Sequence, residues 1–314
     1  MNNNLKKGLI FGVIGNIFVG FQPIIANSAP AALDAHIFAV MTCLVEAVIF
    51  LPLIIIEKKV NLAKNNNTST NHSNSMIKNW RKNIWLFLFI GIIFGLNQLL
   101  FFIGYKLAGA INGSLTQKTT IFFSLIFGFL ILKERITKVQ IIFSMILFFG
   151  LILAISQGSL NLLTFSLDIL SGVLIILLIA CLWIFGHSIT KPVFARNEVT
   201  PIQMVFIRNV LSGIILFSTY FLFFPFKNIS LLFVPINQFY YISMGAAYGA
   251  GLYCWYKTLS YLDVSKATIL FSSTPIITAI FAMLFLGELF TIFHLIGFII
   301  IIISIVIIVK QKEK

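Results

Sequence analysis

Acidic residues are scarce in this chain. Nine Asp and Glu stand against 22 Lys and Arg, and all charged residues together make up only 10% of the 314 positions. A soluble domain carries roughly 25% charged residues. So sparse a set cannot coat a water-facing surface, and lipid must be the solvent for most of the chain. Cysteine is scarce too. Cys43, Cys181 and Cys254 stand singly inside apolar runs, with no spacing that suits a disulfide framework or a metal centre, and read as small packed side chains. There is no G-x-x-x-x-G-K-[ST], hence no ATP drive within the chain. There is no H-E-x-x-H, no G-x-S-x-G and no pair of carboxylates inside an apolar run, so the parts of a zinc peptidase or serine hydrolase are missing. Neither an enzyme nor a cofactor is expected.

What is abundant is apolar: 59% of residues are hydrophobic. A membrane span needs roughly 20 such residues. Suitable runs lie near 8–26, 35–56, 84–105, 108–132, 139–156, 168–190, 202–225, 239–260, 264–287 and 292–309. The first, preceded by Lys6 and Lys7, has the outline of a signal peptide, but it has a counterpart in the second half and is read as a span. The expected fold is therefore all-α and integral to the membrane, with ten transmembrane helices.

The net charge of +13 is a topology signal, not a nucleic-acid footprint. The positive charges sit in short segments between apolar runs. With the N-terminus in the cytoplasm, nearly all of them, from Lys58, Lys59, Arg81 and Lys82 to Lys133, Arg135, Lys191, Arg196 and Lys310, fall on the cytoplasmic side. Lys106 and Lys227 fall opposite, and Lys118 and Arg208 lie within spans. The bias favours a multi-pass cell-membrane protein with both termini cytoplasmic. The Asn-rich stretch 61–79 is polar and of low complexity, and reads as part of a cytoplasmic linker at 57–83.

The chain repeats itself. Shifted by 154 positions, Gly91 and Gly95 fall on Gly245 and Gly249, Thr120 on Thr274, Glu134 on Glu288 and Thr137 on Thr291. Earlier in the chain the offset becomes 166, and Gly20 falls on Gly186. The expected domains are residues 1–157 and 158–314, each with five helices. An odd number per half turns the second half upside down. Inverted repeats recur among secondary transporters, with the substrate site near midplane.

Certain motifs carry a family likeness: the segments Phe101–Leu153 and Leu252–Val309, the Thr274-Pro275 break, the Gly287-Glu288 pair, Trp183-Ile-Phe-Gly186, Lys191, and Arg208 after Thr200-Pro201. Together, over nearly the whole chain, they resemble the EamA-type branch of the drug/metabolite transporter superfamily. Two departures stand out: Ile121 where the first half would carry the proline, and Thr42 where it would carry the arginine. The resemblance implies ten helices around a central cavity lined by the first, third, fourth, sixth, eighth and ninth spans.

Polar residues inside apolar runs are the candidate site. Lys118 lies roughly 15 Å into its helix at 1.5 Å per residue. An intramembrane charge is costly, so Lys118 should face a wet cavity or a partner. Its repeat counterpart is Ser272. With Asn16, Asn97, Gln98, Trp183, His187 and Tyr248 it makes the candidate substrate-binding set. Glu46, roughly 18 Å deep, is the one acid inside a span. It either pairs with a cation, Lys118 for instance, or takes a proton. Pro275 should free the Phe271 carbonyl and permit a kink. Glu134 and Glu288 at helix ends suit capping or turns, and Arg208 completes the gating or structural set. Gly8/Gly12, Gly91/Gly95 and Gly245/Gly249 are close-approach pairs.

The resulting expectation is a secondary transporter for a small organic metabolite, an amino acid or related solute, with lipid as its surroundings and no nucleic-acid partner. The rivals are an intramembrane enzyme, which lacks a nucleophile–base pair, and a channel, which lacks a symmetric pore ring.

Overall fold

The computed structural model describes residues 3–64, 80–133, 135–158, 166–223, 226–261 and 270–312. The described residues hold helices and no strand. The helices are α1 (Asn3–Ser28), α2 (Ala35–Lys64), α3 (Ile84–Ala108), α4 (Ala110–Thr116), α5 (Thr120–Leu132), α6 (Lys138–Ser156), α7 (Leu167–Ala195), α8 (Pro201–Phe223), α9 (Pro235–Tyr261), α10 (Thr274–Phe285) and α11 (Ile292–Lys312). A 3-10 turn, Gln117–Thr119, joins α4 to α5, and another spans Phe226–Phe233.

Eight of these helical stretches are long and apolar enough to cross a membrane, α4 and α5 counting as one. Two of the ten expected spans fall outside that set. α9 is long, but Asn237, Gln238, its tyrosines and Lys257 dilute its apolar character. α10 is a shorter apolar helix that starts after a turn at Ser272 and Ser273. Large apolar side chains such as Trp85, Leu222 and Leu284 are exposed, as they should be where the solvent is hydrocarbon. The linker begins later than its composition suggests: Glu57–Lys64 continue α2. Helical propensity and the packed run before it carry the helix on, because Lys and Leu favour it. Residues 65–79 of the linker lie outside the described residues.

The chain divides into two compact units: 1–29, 100–185 and 250–314 form one, and 30–99 with 186–249 the other. Both draw on both sequence halves, and the divisions fall inside α3, α7 and α9. The repeat halves at 1–157 and 158–314 are thus units of sequence, while the packing units are assembled across them.

In the first unit, α6 lies on α11. Gly150 and Gly297 allow this: a Cβ on Gly297 would stand 2.5 Å from the Gly150 carbonyl oxygen. Small residues permit such approach where lipid gives no hydrophobic drive for helix association. The core gathers Ile24, Leu115, Leu147, Leu151, Ile301 and Ile305. Both last helices of the repeats start alike. Thr137 and Gln140 form a capping box on α6. At the same offset, Thr291 N–H donates to His294 Nδ1 at 3.1 Å, and His294 N–H to Thr291 Oγ1 at 3.3 Å. The threonines that align in the two halves are helix caps.

In the second unit, α2 packs on α8 and α3 on α8. The Ser212 hydroxyl donates to the Gly91 carbonyl at 2.7 Å. Gly245 and Gly249 face Val45, Ile49 and Phe50 of α2. Thr200 caps α8 through Gln203 N–H at 3.3 Å and donates to Glu57 at 2.8 Å.

Candidate functional site

The first unit holds a clasp around two broken helices. α10 begins at Thr274, with Pro275 in its first turn, where a missing N–H costs nothing. Pro275 stands just after a helix break and offers no N–H to the Phe271 carbonyl four residues earlier. The break lies just before it, at Ser272 and Ser273. Its orphaned carbonyls find partners from other helices. The Lys118 ammonium donates to the Phe271 carbonyl at 2.9 Å. Asn16 Nδ2 donates to the Leu270 carbonyl at 2.7 Å and to Ser273 Oγ at 3.3 Å. The Thr274 hydroxyl faces both Asn16 Oδ1 at 2.6 Å and the Phe271 carbonyl at 2.5 Å. Having one proton, it serves one at a time, so Lys118 is the firm donor to Phe271.

Lys118 itself sits in the 3-10 turn Gln117–Thr119. Shifted by 154 positions, that turn falls on the break before α10, and the restarts at Thr120 and Thr274 coincide. Ile121 takes the place of a proline there. Local hydrogen bonds hold this break instead: Ser114 to the Ile111 carbonyl at 2.9 Å, Thr119 to that of Thr116 at 2.8 Å, and Tyr105 to Gln117 at 3.2 Å. Gly12, Gly15 and Gly20 bring α1 against Leu270, Phe271 and Ile277, which is what puts Asn16 on the break. Glu134 lies outside the described residues. Ser272 is buried.

Glu288 closes the other end of α4. Its carboxylate accepts the backbone N–H groups of Ala110 at 2.6 Å and Ile111 at 2.9 Å, a charge-complementary helix start. Gly109 has φ of 78° and ψ of 166°, a region essentially reserved for glycine. A Cβ there would approach the Glu288 carboxylate to 3.2 Å. Gln22 is buried and Trp183 half-buried in this unit.

The second unit holds a separate polar cluster. Glu46 on α2 and Arg208 on α8 are both buried and stand 3.7 Å apart. Glu46 thus pairs with Arg208, and not with Lys118, as sequence depth alone had allowed. The Arg208 guanidinium lies 4.4 Å from the Phe94 ring centroid, a cation–π distance. Phe94 in turn meets His187 edge-on at 5.4 Å. Tyr248, buried on α9, and His187 lie within electrostatic reach of Arg208. Asn97 and Gln98 follow Phe94 by one turn on α3, both buried. Thr190 bonds back to the Gly186 and His187 carbonyls. Phe94 and Asn209 were not singled out from sequence. An asparagine beside an intramembrane arginine was the available signal.

At the end of this unit, Glu198 gathers three donors: Lys82, Asn83 at 2.9 Å and Arg196 at 3.0 Å. Its bonds from Arg196, then Lys82 and Asn83, hold its carboxyl down at about 2. Groups of three or more His, Cys, Asp or Glu able to hold a metal ion are absent among the described residues.

The profile of the EamA-like transporter family matches residues 6–156 and again 170–310. The uncharacterized transporter YyaM of Bacillus subtilis (strain 168) is 28% identical over 229 residues, covering 72% of this chain and 73% of that one. A solved crystal structure of 14% identity superposes with a TM-score of 0.62 over 96% of both chains, which is a likeness of fold.

Proposed function

This chain belongs to the EamA-like transporter family, and from that membership we propose that it is a secondary transporter moving a small organic solute across the cell membrane by alternating access. Ten spans in two inverted halves, with both termini cytoplasmic, make the scaffold. The observation that carries the reading is the clasp of Lys118 on Phe271 at 2.9 Å. Broken helices are where transporters of this kind place bare carbonyls and moving joints. Here two breaks at equivalent repeat positions are tied to each other by one ammonium, and Asn16 holds the second of them. A cation at that depth held by a single backbone carbonyl retains two further N–H donors, which suits a group that exchanges partners as the helices rearrange.

Within the first unit, substrate contacts are assigned to Lys118, Ser272, Asn16 and Trp183; within the second, to Asn97, Gln98, His187 and Tyr248. Amides and charges suit a polar headgroup, and the aromatic residues an apolar portion. An amino acid or related solute has that mixture.

Counterflow in proteoliposomes tests the reading. Vesicles loaded with an unlabelled solute should take up the labelled form faster than empty ones, because a carrier's return step is accelerated by bound solute. Flux without trans-acceleration would make it a channel, and chemical conversion of the solute an enzyme.

A further inference from the structure

The Glu46–Arg208 pair is poorly made for an ion pair that serves structure alone. Buried charges usually meet at 2.7–2.9 Å, and arginine prefers a two-pronged contact with a carboxylate. Here the separation is 3.7 Å. Arg208 Nε and Glu46 Oε1 have no hydrogen-bond partner among the described residues. The same is true of Thr42 Oγ1, Asn97 Nδ2 and Oδ1, and Gln98 Nε2. All of these side chains are buried, and all belong to one compact unit. Buried polar groups are satisfied nine times in ten or better, so a concentration of unmet donors on α2, α3 and α8 requires an explanation.

The unmet groups are mainly donors, and the strongest is a guanidinium with free valence. We propose that Arg208 is the receptor for the carboxylate of a small solute, and that Glu46 is its built-in competitor, holding the guanidinium loosely until solute displaces it. Phe94 holds the guanidinium by a cation–π contact, and the guanidinium edge is the part that a planar two-oxygen ligand would take. Asn97, Gln98 and Asn209 supply amide donors and one acceptor for the rest of the headgroup. Glu46 has Cys43, Tyr248 and Asn209 as its other neighbours, none of which offers it a second cation. The inference deepens the transporter reading by naming the substrate class, and rests on it only for the solute's fate, not for its binding.

The test uses the full-length chain purified in detergent. Thermal stabilisation is recorded with the L-amino acids and with aliphatic and aromatic monocarboxylates, each beside its primary amide. The expected result is stabilisation by an acid and not by its amide. Glu46→Gln should tighten that acid by about tenfold, since a competing charge is removed. Arg208→Gln, and the double variant Glu46→Gln with Arg208→Gln should the single one fold poorly, should abolish the response. Equal response to acid and amide, weaker acid binding in Glu46→Gln, or retained selectivity in the double variant each overturn the proposal. So does a wild-type chain that no carboxylate stabilises. Counterflow separates the two readings. Arg208-dependent acid binding without counterflow sinks transport but keeps the site. Counterflow of a neutral solute indifferent to Glu46→Gln does the reverse.

Discussion

The Lys118 ammonium lies 2.9 Å from the Phe271 carbonyl, the oxygen that Pro275 leaves without its helical partner. A residue in the break of one repeat thereby satisfies the break of the other. Lys118→Met removes this bond, and hydrogen bonds to charged groups contribute about 1.5–3 kcal/mol. Melting of the purified protein should fall modestly, with Lys118→Gln intermediate because it keeps a donor. Glu46→Gln should not rescue it, since Glu46 pairs with Arg208. Rescue in the double variant would mean that Lys118 and Glu46 neutralise each other after all.

Pro275→Ala adds an N–H in the first turn of α10. That N–H can compete with Lys118 for the Phe271 carbonyl and wind the break into continuous helix. Transport rate should change while membrane abundance stays near wild type, because proline at this position stabilises only by about 0.4–1 kcal/mol through the unfolded chain. An unaltered rate in counterflow would reduce Pro275 to a helix starter.

Gly109→Ala should destabilise by about 1–3 kcal/mol, the cost of a side chain in so restricted a backbone region. Its Cβ would also crowd Glu288. Glu288→Gln keeps the shape and loses the charge, at about 0.5–2 kcal/mol for a lost helix cap. Equal melting of Gly109→Ala and wild type would contradict the observed φ.

Glu198 has its carboxyl held at about 2, below the ordinary value of roughly 4.3. A depressed carboxyl stabilises the fold above the unfolded value, and that contribution disappears as pH falls through the folded one. The melting difference between wild type and Glu198→Gln should hold constant above about pH 5 and shrink toward pH 2. A difference that grows on acidification would reverse the sign and the assignment.

Orientation is checked with cysteine labelling in a chain lacking Cys43, Cys181 and Cys254. A cysteine at Ser69 should react only once the cytoplasmic side is opened, and one at Asn161 from outside. Reaction at Ser69 in sealed cells would invert the topology.

Membrane residence, helical class and repeat offset were legible in the sequence, because each depends on local composition or on spacing along the chain. The charge count ruled out water as the main solvent, and Thr137 and Thr291 aligned at the repeat offset, while their role as helix caps came from the structure. Which polar residues meet was not legible. Depth along a helix axis placed Lys118 and Glu46 at similar levels and allowed them to pair. Only the tertiary structure decided their partners, giving Lys118 a backbone carbonyl and Glu46 the Arg208 guanidinium. The reason is rotational. The azimuth of a side chain about its helix is set by which neighbours pack there, and the glycines at 12, 15, 91 and 245 decide that through contacts distant in sequence. The compact units, drawn from both halves, are likewise a property of packing that no stretch of sequence records.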